Sequence, residues 1–335
     1  MDAGLSSPVL ERGGLVALGA LLRKAGRQRI FVICGPSARH LDRIQRQLDG
    51  MSVEVFREAR RHVPEALVAR AAEALAAFGG DAVISIGGGS TTGLAKALRL
   101  TRSFFFVAIP TTYAGSELTD LYGTTSEGGK RTGRDLRVVP DVVLYDVSLT
   151  LDMPLTVSIT SLLNALAHPL SALSTGKLDA AGRQRALAAA EAVYRALDAL
   201  ARAPRDEAAR RAALEGTILA GLVLRTSAVG VHHQLAHALG GRFDLDHAGL
   251  HSVLLPHSTR ALREAAPAEL AELEQRLGEP RLALALFTLL RASGAPTSLA
   301  ALGATREGLE QMLDERPELP RVMARAAFAG AEPAS

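Results

Sequence analysis

Short apolar runs alternate with amphipathic segments over the first 150 residues. Runs rich in β-branched and aromatic residues predict buried strands, and apolar residues spaced three to four apart predict helices between them. The predicted strands are residues 30–34, 52–56, 82–86 and 104–109. The predicted helices run from the turn at 35–37 to about residue 48, from 64 to 79, and through Leu94 and Leu98. This order predicts a Rossmann-like α/β domain with a mostly parallel sheet.

After about Thr150 the pattern changes to helices alone. The predicted helices are residues 154–173, 180–202, 206–228, 232–240 and 249–265, with shorter ones up to residue 329. We therefore expect an α/β domain at 1–150 and an all-helical domain at 151–335. Ligands of open α/β sheets bind at the carboxyl ends of the strands, so the cleft between the two domains is the expected active site.

Composition narrows the class of protein. The 335 residues are 48% hydrophobic and 22% charged, which excludes a disordered or coiled-coil chain. The 38 basic residues are interspersed with 35 acidic ones and aromatic residues make up only 4%, so we expect no nucleic-acid partner. Cys34 is the only cysteine, which excludes an internal disulfide and suits a reducing cytoplasm. Without a long uncharged run or an export signal, we expect no membrane association.

Glycines follow the predicted strand at 82–86. The turn Gly87, Gly88, Gly89, Ser90 and Thr91 opens a helix, where bare amides and the helix dipole can bind a phosphate. The spacing matches neither the dinucleotide fingerprint nor a P-loop, so a simple tight turn is the alternative.

The next predicted strand also ends in small polar residues. Its loop carries the hydroxyls of Thr111, Thr112 and Ser116. Because neighbouring parallel strands end at the same edge of a sheet, we expect these hydroxyls beside the glycine turn.

Histidines are concentrated in the second half of the chain. Six of the nine lie between residues 232 and 257, and His168 is a seventh. Asn164 and His168 are four residues apart on one helical face, as are His233 and His237, and we expect His247 in a loop. Such a cluster suits a divalent metal, proton transfer or carboxylate binding. We interpret His251 and His257 as core histidines.

Several segments together carry a family resemblance. They are GGGSTTGLAKAL, IPTTYAGSE, the stretch from EGGKRTGRDL to SLTLDMP, TSLLNALAHPL, and HHQLAHALGGRFDLDHAGLHSVLLPH. Over roughly residues 12–290 the chain resembles the maleylacetate reductases, a branch of the iron-containing alcohol dehydrogenase superfamily. The resemblance implies the dehydroquinate synthase-like fold of that superfamily, a homodimer, and reduction of maleylacetate to 3-oxoadipate in aromatic compound catabolism.

The resemblance also implies site residues. In metal-dependent relatives an Asp and three histidines hold the metal, at positions that match Asn164, His168, His233 and His247, and His237 matches a histidine near the nicotinamide. We expect these five residues and Tyr113 to be catalytic, with no metal. The residues expected to bind NADH or NADPH are Gly35, Pro36, Gly87, Gly88, Gly89, Ser90, Thr91, Thr111, Thr112, Ser116 and Lys130. Residues 35–37 offer no acidic side chain that would bind a ribose 2′-hydroxyl or repel a 2′-phosphate. We therefore expect both NADH and NADPH to be accepted.

Three segments depart from the family pattern, which leaves the substrate open. They are residues 171–177, the tail at 316–321 without its aromatic residues, and a shortened first strand. The leading hypothesis is a metal-independent NAD(P)H-dependent reductase of a conjugated C=C, or of a carbonyl, in a small acid, either maleylacetate or the substrate of a relative in specialised metabolism. The alternatives are a metal-dependent alcohol dehydrogenase, an NAD-binding lyase or cyclase, and a catalytically inactive homologue.

Overall fold

The computed structural model describes residues 8–126, 129–228 and 230–333. Contacts divide the chain into two compact units, the first ending at Thr150 and the second holding the residues after it. The short segment Tyr113–Gly115 is an exception, since it belongs to the second unit. The first unit contains a parallel sheet with helices and the second is built from helices. The expected fold class, an α/β part followed by a helical part, is confirmed.

In the part of the first unit that the structure describes, six parallel strands form the sheet, in the order β1-β8-β5-β4-β2-β3. A separate antiparallel hairpin pairs β6 with β7. The strands are β1 (Val9–Glu11), β2 (Arg29–Ile33), β3 (Ser52–Phe56), β4 (Ala82–Gly87), β5 (Phe105–Pro110), β6 (Leu121–Ser126), β7 (Gly129–Arg134) and β8 (Val142–Leu144). Apolar side chains of the central strands, such as Ile30, Ile84 and Val107, are completely buried. Burial on both faces explains why these strands are continuous apolar runs in the sequence.

The strand order reverses next to β4. From β2 the chain moves outward to β3, returns to β4 on the other side of β2, and then continues through β5 to β8. The carboxyl ends of β2 and β4 therefore flank the topological switch point, where open α/β sheets bind ligands. Gly35 follows β2 and Gly88 follows β4, so two of the glycine-containing turns lie at this point.

The helices of the first unit are α1 (Leu18–Lys24), α2 (Leu41–Gln45), α3 (Glu65–Phe78) and α4 (Gly89–Thr101). The helix predicted after residue 37 is wrong in length, because only the five residues of α2 are helical. Ala38 and His40 have positive φ angles of 47° and 65°, which interrupt a right-handed helix before α2 begins. In contrast, α3 has the predicted bounds because Pro64 precedes it and Gly79 ends it in the left-handed conformation.

Within residues 151–228 and 230–333, nine helices of the second unit follow in sequence. They are α5 (Leu155–Leu173), α6 (Ala180–Arg202), α7 (Glu207–Thr226), α8 (Val231–Phe243), α9 (His247–Ala265), α10 (Pro267–Leu277), α11 (Leu282–Ala292), α12 (Arg306–Glu315) and α13 (Arg321–Ala329). Asp179, Asp206 and Asp246 cap α6, α7 and α9 with their carboxylates. Since Asp246 starts α9 at His247, the expectation that His247 lies in a loop is wrong.

Helix α5 is the central helix of the second unit. Its residues from Ser158 to Leu173 are all buried, and it packs against α6, α7 and α9. Buried polar groups usually need hydrogen-bond partners, and besides small hydroxyl side chains this buried stretch carries the amide of Asn164 and the imidazole of His168. Among the described residues, no single helix is long and apolar enough to cross a membrane, and only α7 with α8, joined across a 93° bend, passes that test as a pair.

Candidate active site

The turn between β4 and α4 requires glycine for steric reasons. Gly87 has a φ of +143°, and a Cβ there would lie 2.8 Å from Thr91 Oγ1. A Cβ on Gly88 would lie 3.0 Å from Thr112 Oγ1. A Cβ on Gly89 would meet no atom within 4 Å, so the space beside the first residue of α4 is open. A side chain at Gly87 or Gly88 would therefore press on protein atoms, whereas the space beside Gly89 is empty.

The first turn of α4 has the donors that an anion needs. The leading N–H groups of a helix lack intrahelical partners, and Gly88, at the N-cap position, supplies no side-chain cap. Thr91, which is also predicted to bind the cofactor, donates its hydroxyl to Gly88 O at 2.9 Å and is 4% exposed. The backbone amides of Gly89 and Ser90 are thus the groups of this turn best placed to bind a phosphate.

The loop after β5 lies beside this turn, as predicted. Thr111 N donates to Gly87 O at 2.9 Å, and Thr112 lies against Gly88. Beneath the loop, the ammonium of buried Lys96 donates to the carbonyls of Ser116 and Thr119, both at 2.6 Å. Through these hydrogen bonds, Lys96 holds in place the loop that carries the hydroxyls of Thr111, Thr112 and Ser116.

Two more predicted cofactor residues lie at the switch point and a third on the hairpin. Gly35 and Pro36 follow β2, and a Cβ on Gly35 would meet no atom within 4 Å. Lys130 pairs with Thr125 in the hairpin, but its side chain lies outside the described part of the chain.

Six imidazole rings form a histidine cluster in the second unit. Its members are His168, His232, His233, His237, His247 and His251. The ring centroids of touching pairs are 4.4 to 6.4 Å apart. Helix α5 contributes one ring, α8 three and α9 two. The structure therefore brings together the histidines that the sequence predicts and adds His232 and His251.

Exposure separates the cluster into two layers. His237 and His247 are exposed, whereas the other four rings are at most 6% exposed. His237 stands perpendicular to His233, with centroids 6.4 Å apart, and His247 stands against His251 at 4.4 Å. Only the two exposed rings can meet a ligand directly, and the buried rings form the layer behind them.

Burial keeps the inner rings neutral. It lowers the pKa of His168 to about 4 and that of His232 to about 3. Burial, followed by the charges of the neighbouring histidines, holds the pKa of His233 and of His251 well below the usual range. Each inner imidazole therefore carries one N–H at neutral pH.

Hydrogen-bond partners assign the tautomers of His168 and His233, two of the buried rings. His168 Nε2 lies 3.2 Å from Ala114 O, and a carbonyl only accepts, so the N–H of His168 is on Nε2. Its Nδ1 must then accept from His233 Nε2, 3.1 Å away. This leaves His233 Nδ1 unprotonated, and it has no hydrogen-bond partner among the described residues.

Comparison with known proteins shows which family this chain belongs to. Residues 7–147 match the family "Iron-containing alcohol dehydrogenase", and residues 158–318 match the C-terminal part of the Fe-containing alcohol dehydrogenase family. The chain belongs to the iron-containing alcohol dehydrogenase family. It is accordingly an oxidoreductase, as its reductase relatives also indicate.

Similar relatives include several maleylacetate reductases. The maleylacetate reductase of Rhizobium sp. (strain MTP-10005) is 38% identical over 338 residues, 97% of this chain and 96% of its own. That of Burkholderia cepacia is 40% identical over 314 residues, 93% of this chain and 89% of its own. The crystal structure of maleylacetate reductase from Agrobacterium tumefaciens superposes with a TM-score of 0.88 at 37% identity, over 98% of both chains.

The family description names iron, and a divalent cation requires several donor atoms with free lone pairs. Asn164 provides a neutral amide, whose buried Oδ1 has no hydrogen-bond partner among the described residues. Both ring nitrogens of His168 already have partners, Ala114 O and His233 Nε2. Within the described ranges, no group of three or more His, Cys, Asp or Glu side chains is arranged to hold a metal. These residues therefore present no arranged set of ligands for a divalent cation within the described part of the chain.

Tyr113 was expected to be catalytic in this family site, and the structure places its side chain elsewhere. The ring is completely buried, and Arg210 Nη1 donates to its hydroxyl at 3.2 Å. Arg210 also donates to Ser158 Oγ at 2.7 Å and to Met153 O at 2.9 Å. Tyr113 thus anchors the segment whose next carbonyl, that of Ala114, binds His168.

The sequence alone missed two members of the histidine cluster. His232 was assigned no role, and His251 was interpreted as a core histidine; His251 is fully buried, but inside the cluster. Its spacing of four residues from His247 was the available signal, because both rings then lie on one face of α9. His257 is also buried, and it makes none of the ring contacts of the cluster within the described residues.

Proposed function

We propose that this chain is an NAD(P)H-dependent reductase that saturates the C=C of maleylacetate, giving 3-oxoadipate. The observation that carries the proposal is a histidine cluster with the buried amide of Asn164 one helical turn before His168, in a chain 38% identical to a maleylacetate reductase over nearly its whole length. Conjugate reduction suits such a site, since hydrogen bonds to the substrate carbonyl can stabilise the developing enolate without a metal.

The cofactor is proposed to bind at the switch point of the sheet. Bound NADH or NADPH supplies the hydride. The open space beside Gly89 and the free amides of the first turn of α4 fit a pyrophosphate. Thr111, Thr112, Ser116 and Lys130 are proposed to line the rest of the nucleotide, and Gly35 and Pro36 its adenosine end. With no acidic side chain at residues 35–37, we propose that both cofactors are accepted.

The exposed histidines are proposed to act on the substrate. The hydride is added to the alkene carbon β to the ketone, the electron pair moves onto the ketone oxygen as an enolate, and a proton is added to the carbon between them. His237 is proposed to deliver that proton, and His247 to bind a carboxylate or the enolate oxygen. His168, His233 and Asn164 are proposed to act from the buried layer, by orienting the exposed rings.

We also propose that turnover needs no metal, although the family is named for iron. An aspartate at residue 164 would offset part of the charge of a cation, whereas the amide of Asn164 does not. Hydrogen bonds also occupy both ring nitrogens of His168, one of which a cation would need as a ligand.

The test is an assay of nicotinamide absorbance with maleylacetate, after dialysis against a chelator and elemental analysis. We expect activity within about twofold of the untreated enzyme. Loss of activity that iron or zinc restores would contradict the metal-free proposal and favour a metal-dependent alcohol dehydrogenase.

The assembly and its location are part of the proposal. The chain is proposed to be a cytoplasmic homodimer that acts on a small acid, with neither nucleic acid nor membrane as a partner. Edge strand β1 supports the dimer, because its Val9 is 62% exposed, and Val16, in the short turn that follows along the chain, is 78% exposed. Sedimentation equilibrium should give twice the chain mass of 35.2 kDa, and a monomer mass would contradict it.

A further inference from the structure

A second hydrogen-bonded chain crosses the histidine cluster, apart from the pair formed by His168 and His233. Ser258 Oγ lies 2.8 Å from His232 Nδ1, and His232 Nε2 lies 2.8 Å from His251 Nδ1. His232 is 4% exposed and His251 is not exposed at all. Ser258 stands on α9, two turns after His251, so α8 and α9 are joined by this chain.

The serine hydroxyl sets the direction of the chain. Ser258 Oγ donates to Leu255 O at 3.0 Å, so it offers a lone pair to His232 and accepts its Nδ1–H. The neutral ring of His232 then has an unprotonated Nε2, which accepts from His251 Nδ1–H. His251 is left with an unprotonated Nε2, and that buried atom has no hydrogen-bond partner among the described residues.

The reverse direction is less favourable. If Ser258 donated to His232, each following N–H would reverse and His251 would carry its proton on Nε2. The atom without a partner would then be a buried N–H rather than a lone pair. Orphaned buried N–H groups are rarer in proteins than under-satisfied acceptors and lose the energy of a hydrogen bond. The geometry therefore selects the tautomer of His251 with its proton on Nδ1.

We propose that Ser258 and His232 are positioning residues that hold His251 with an unprotonated Nε2 in the histidine cluster. The ring of His251 lies against the exposed His247, with centroids 4.4 Å apart at an interplanar angle of 72°, and against His233 at 5.0 Å. The fixed tautomer thus gives His251 a hydrogen-bond acceptor, its Nε2, rather than a donor. His251 packs against His247, the ring that is proposed to bind the substrate. Which ring nitrogen of a histidine carries the proton is commonly set by such a partner, and losing it impairs the site. The kinetic part of this inference rests on the proposed function, and the tautomer part does not.

The tautomer is measured by ¹⁵N NMR of the histidine rings in the protein without substrate, with each ring assigned from a His→Gln variant. In the unsubstituted protein we expect His232 and His251 to be protonated on Nδ1, and His168 and His233 on Nε2. The opposite pattern for His232 and His251 would overturn the proposal, whatever the enzyme's activity.

Ser258→Ala tests the role of the hydroxyl. Without it, both directions of the chain leave one buried N–H unpartnered, so we expect both tautomers of His232 and His251 to be populated. We expect kcat to fall about tenfold with the KM for NADH unchanged, and Ser258→Thr to restore both the tautomers and kcat.

Ser252→Ala is the matched control on the same helix. Ser252 is buried and donates to the carbonyls of Thr160 and Ala248, so its loss should leave the four tautomers unchanged. Unchanged tautomers in Ser258→Ala, or changed tautomers with an unchanged kcat, would overturn the positioning role. If the unsubstituted protein turns over no maleylacetate, the proposed function fails, while the NMR result still decides the tautomer.

Discussion

Replacing His237 by alanine is expected to lower kcat/KM for maleylacetate by about 100-fold or more, the usual scale for a positioned proton donor. His237 is exposed while the neighbouring ring of His233 is buried, so no other ring of α8 can take its place at the substrate. The affinity for NADH should barely change, because the proposed phosphate site is at Gly89, in the other unit. Steady-state kinetics and calorimetry with NADH give the two quantities.

His257→Gln is the control for this substitution. His257 is a buried histidine of the same unit that lies outside the histidine cluster, so kcat/KM should stay within about threefold. A folded His237→Ala enzyme with activity within threefold of the original would remove the proton-donor role from His237. His247, the other exposed ring, would then be the residue to examine.

Gly89→Val is expected to raise the Kd for NADH by at least about 100-fold. A Cβ at Gly89 meets no protein atom within 4 Å, so the free protein should tolerate the side chain, which would fill the space before the amides of α4. Charge-assisted hydrogen bonds contribute roughly 1.5 to 3 kcal/mol each, and losing one or two accounts for this change. Gly88 is a poorer choice, because a side chain there would press on Thr112 and disturb the turn itself.

Calorimetry is the suitable measurement, since the chain contains no tryptophan to transfer energy to the nicotinamide. Gly89→Ala provides a graded comparison, because its single methyl group fills less of the space and should cause a smaller loss. Thermal unfolding of both variants reports whether the fold is retained. An NADH affinity equal to that of the original protein, in a folded Gly89→Val variant, would remove the cofactor from this turn.

Elements with strong local signals were predictable from the sequence. Helix α6 has the predicted bounds because Asp179 caps it and apolar residues recur at helical spacing up to Leu200. Strand β3 also has its predicted bounds. The hairpin of β6 and β7 was missed because its polar, glycine-rich strands lack apolar alternation. Strands β1 and β8 have only three residues each, too few for a periodic signal.

The residues of the candidate site could be predicted from the sequence, but the hydrogen bonds between them could not. The spacing of His233 and His237 put both on one face of a helix, and that is observed. Nothing local to His168 shows that Ala114 O, 54 residues away, would fix its tautomer. The chain from Ser258 to His251 likewise depends on how α8 packs against α9, a property of the tertiary structure.

The most direct test of the central claim, conjugate reduction, is to identify the product formed from maleylacetate and NADH carrying deuterium at C4 of the nicotinamide. With chelator-treated enzyme we expect 3-oxoadipate by NMR, with its ketone intact and one deuterium on the former alkene carbon β to that ketone. A product that keeps the C=C and carries deuterium on a new carbinol carbon would contradict the account, because it would show carbonyl reduction of the alcohol dehydrogenase type.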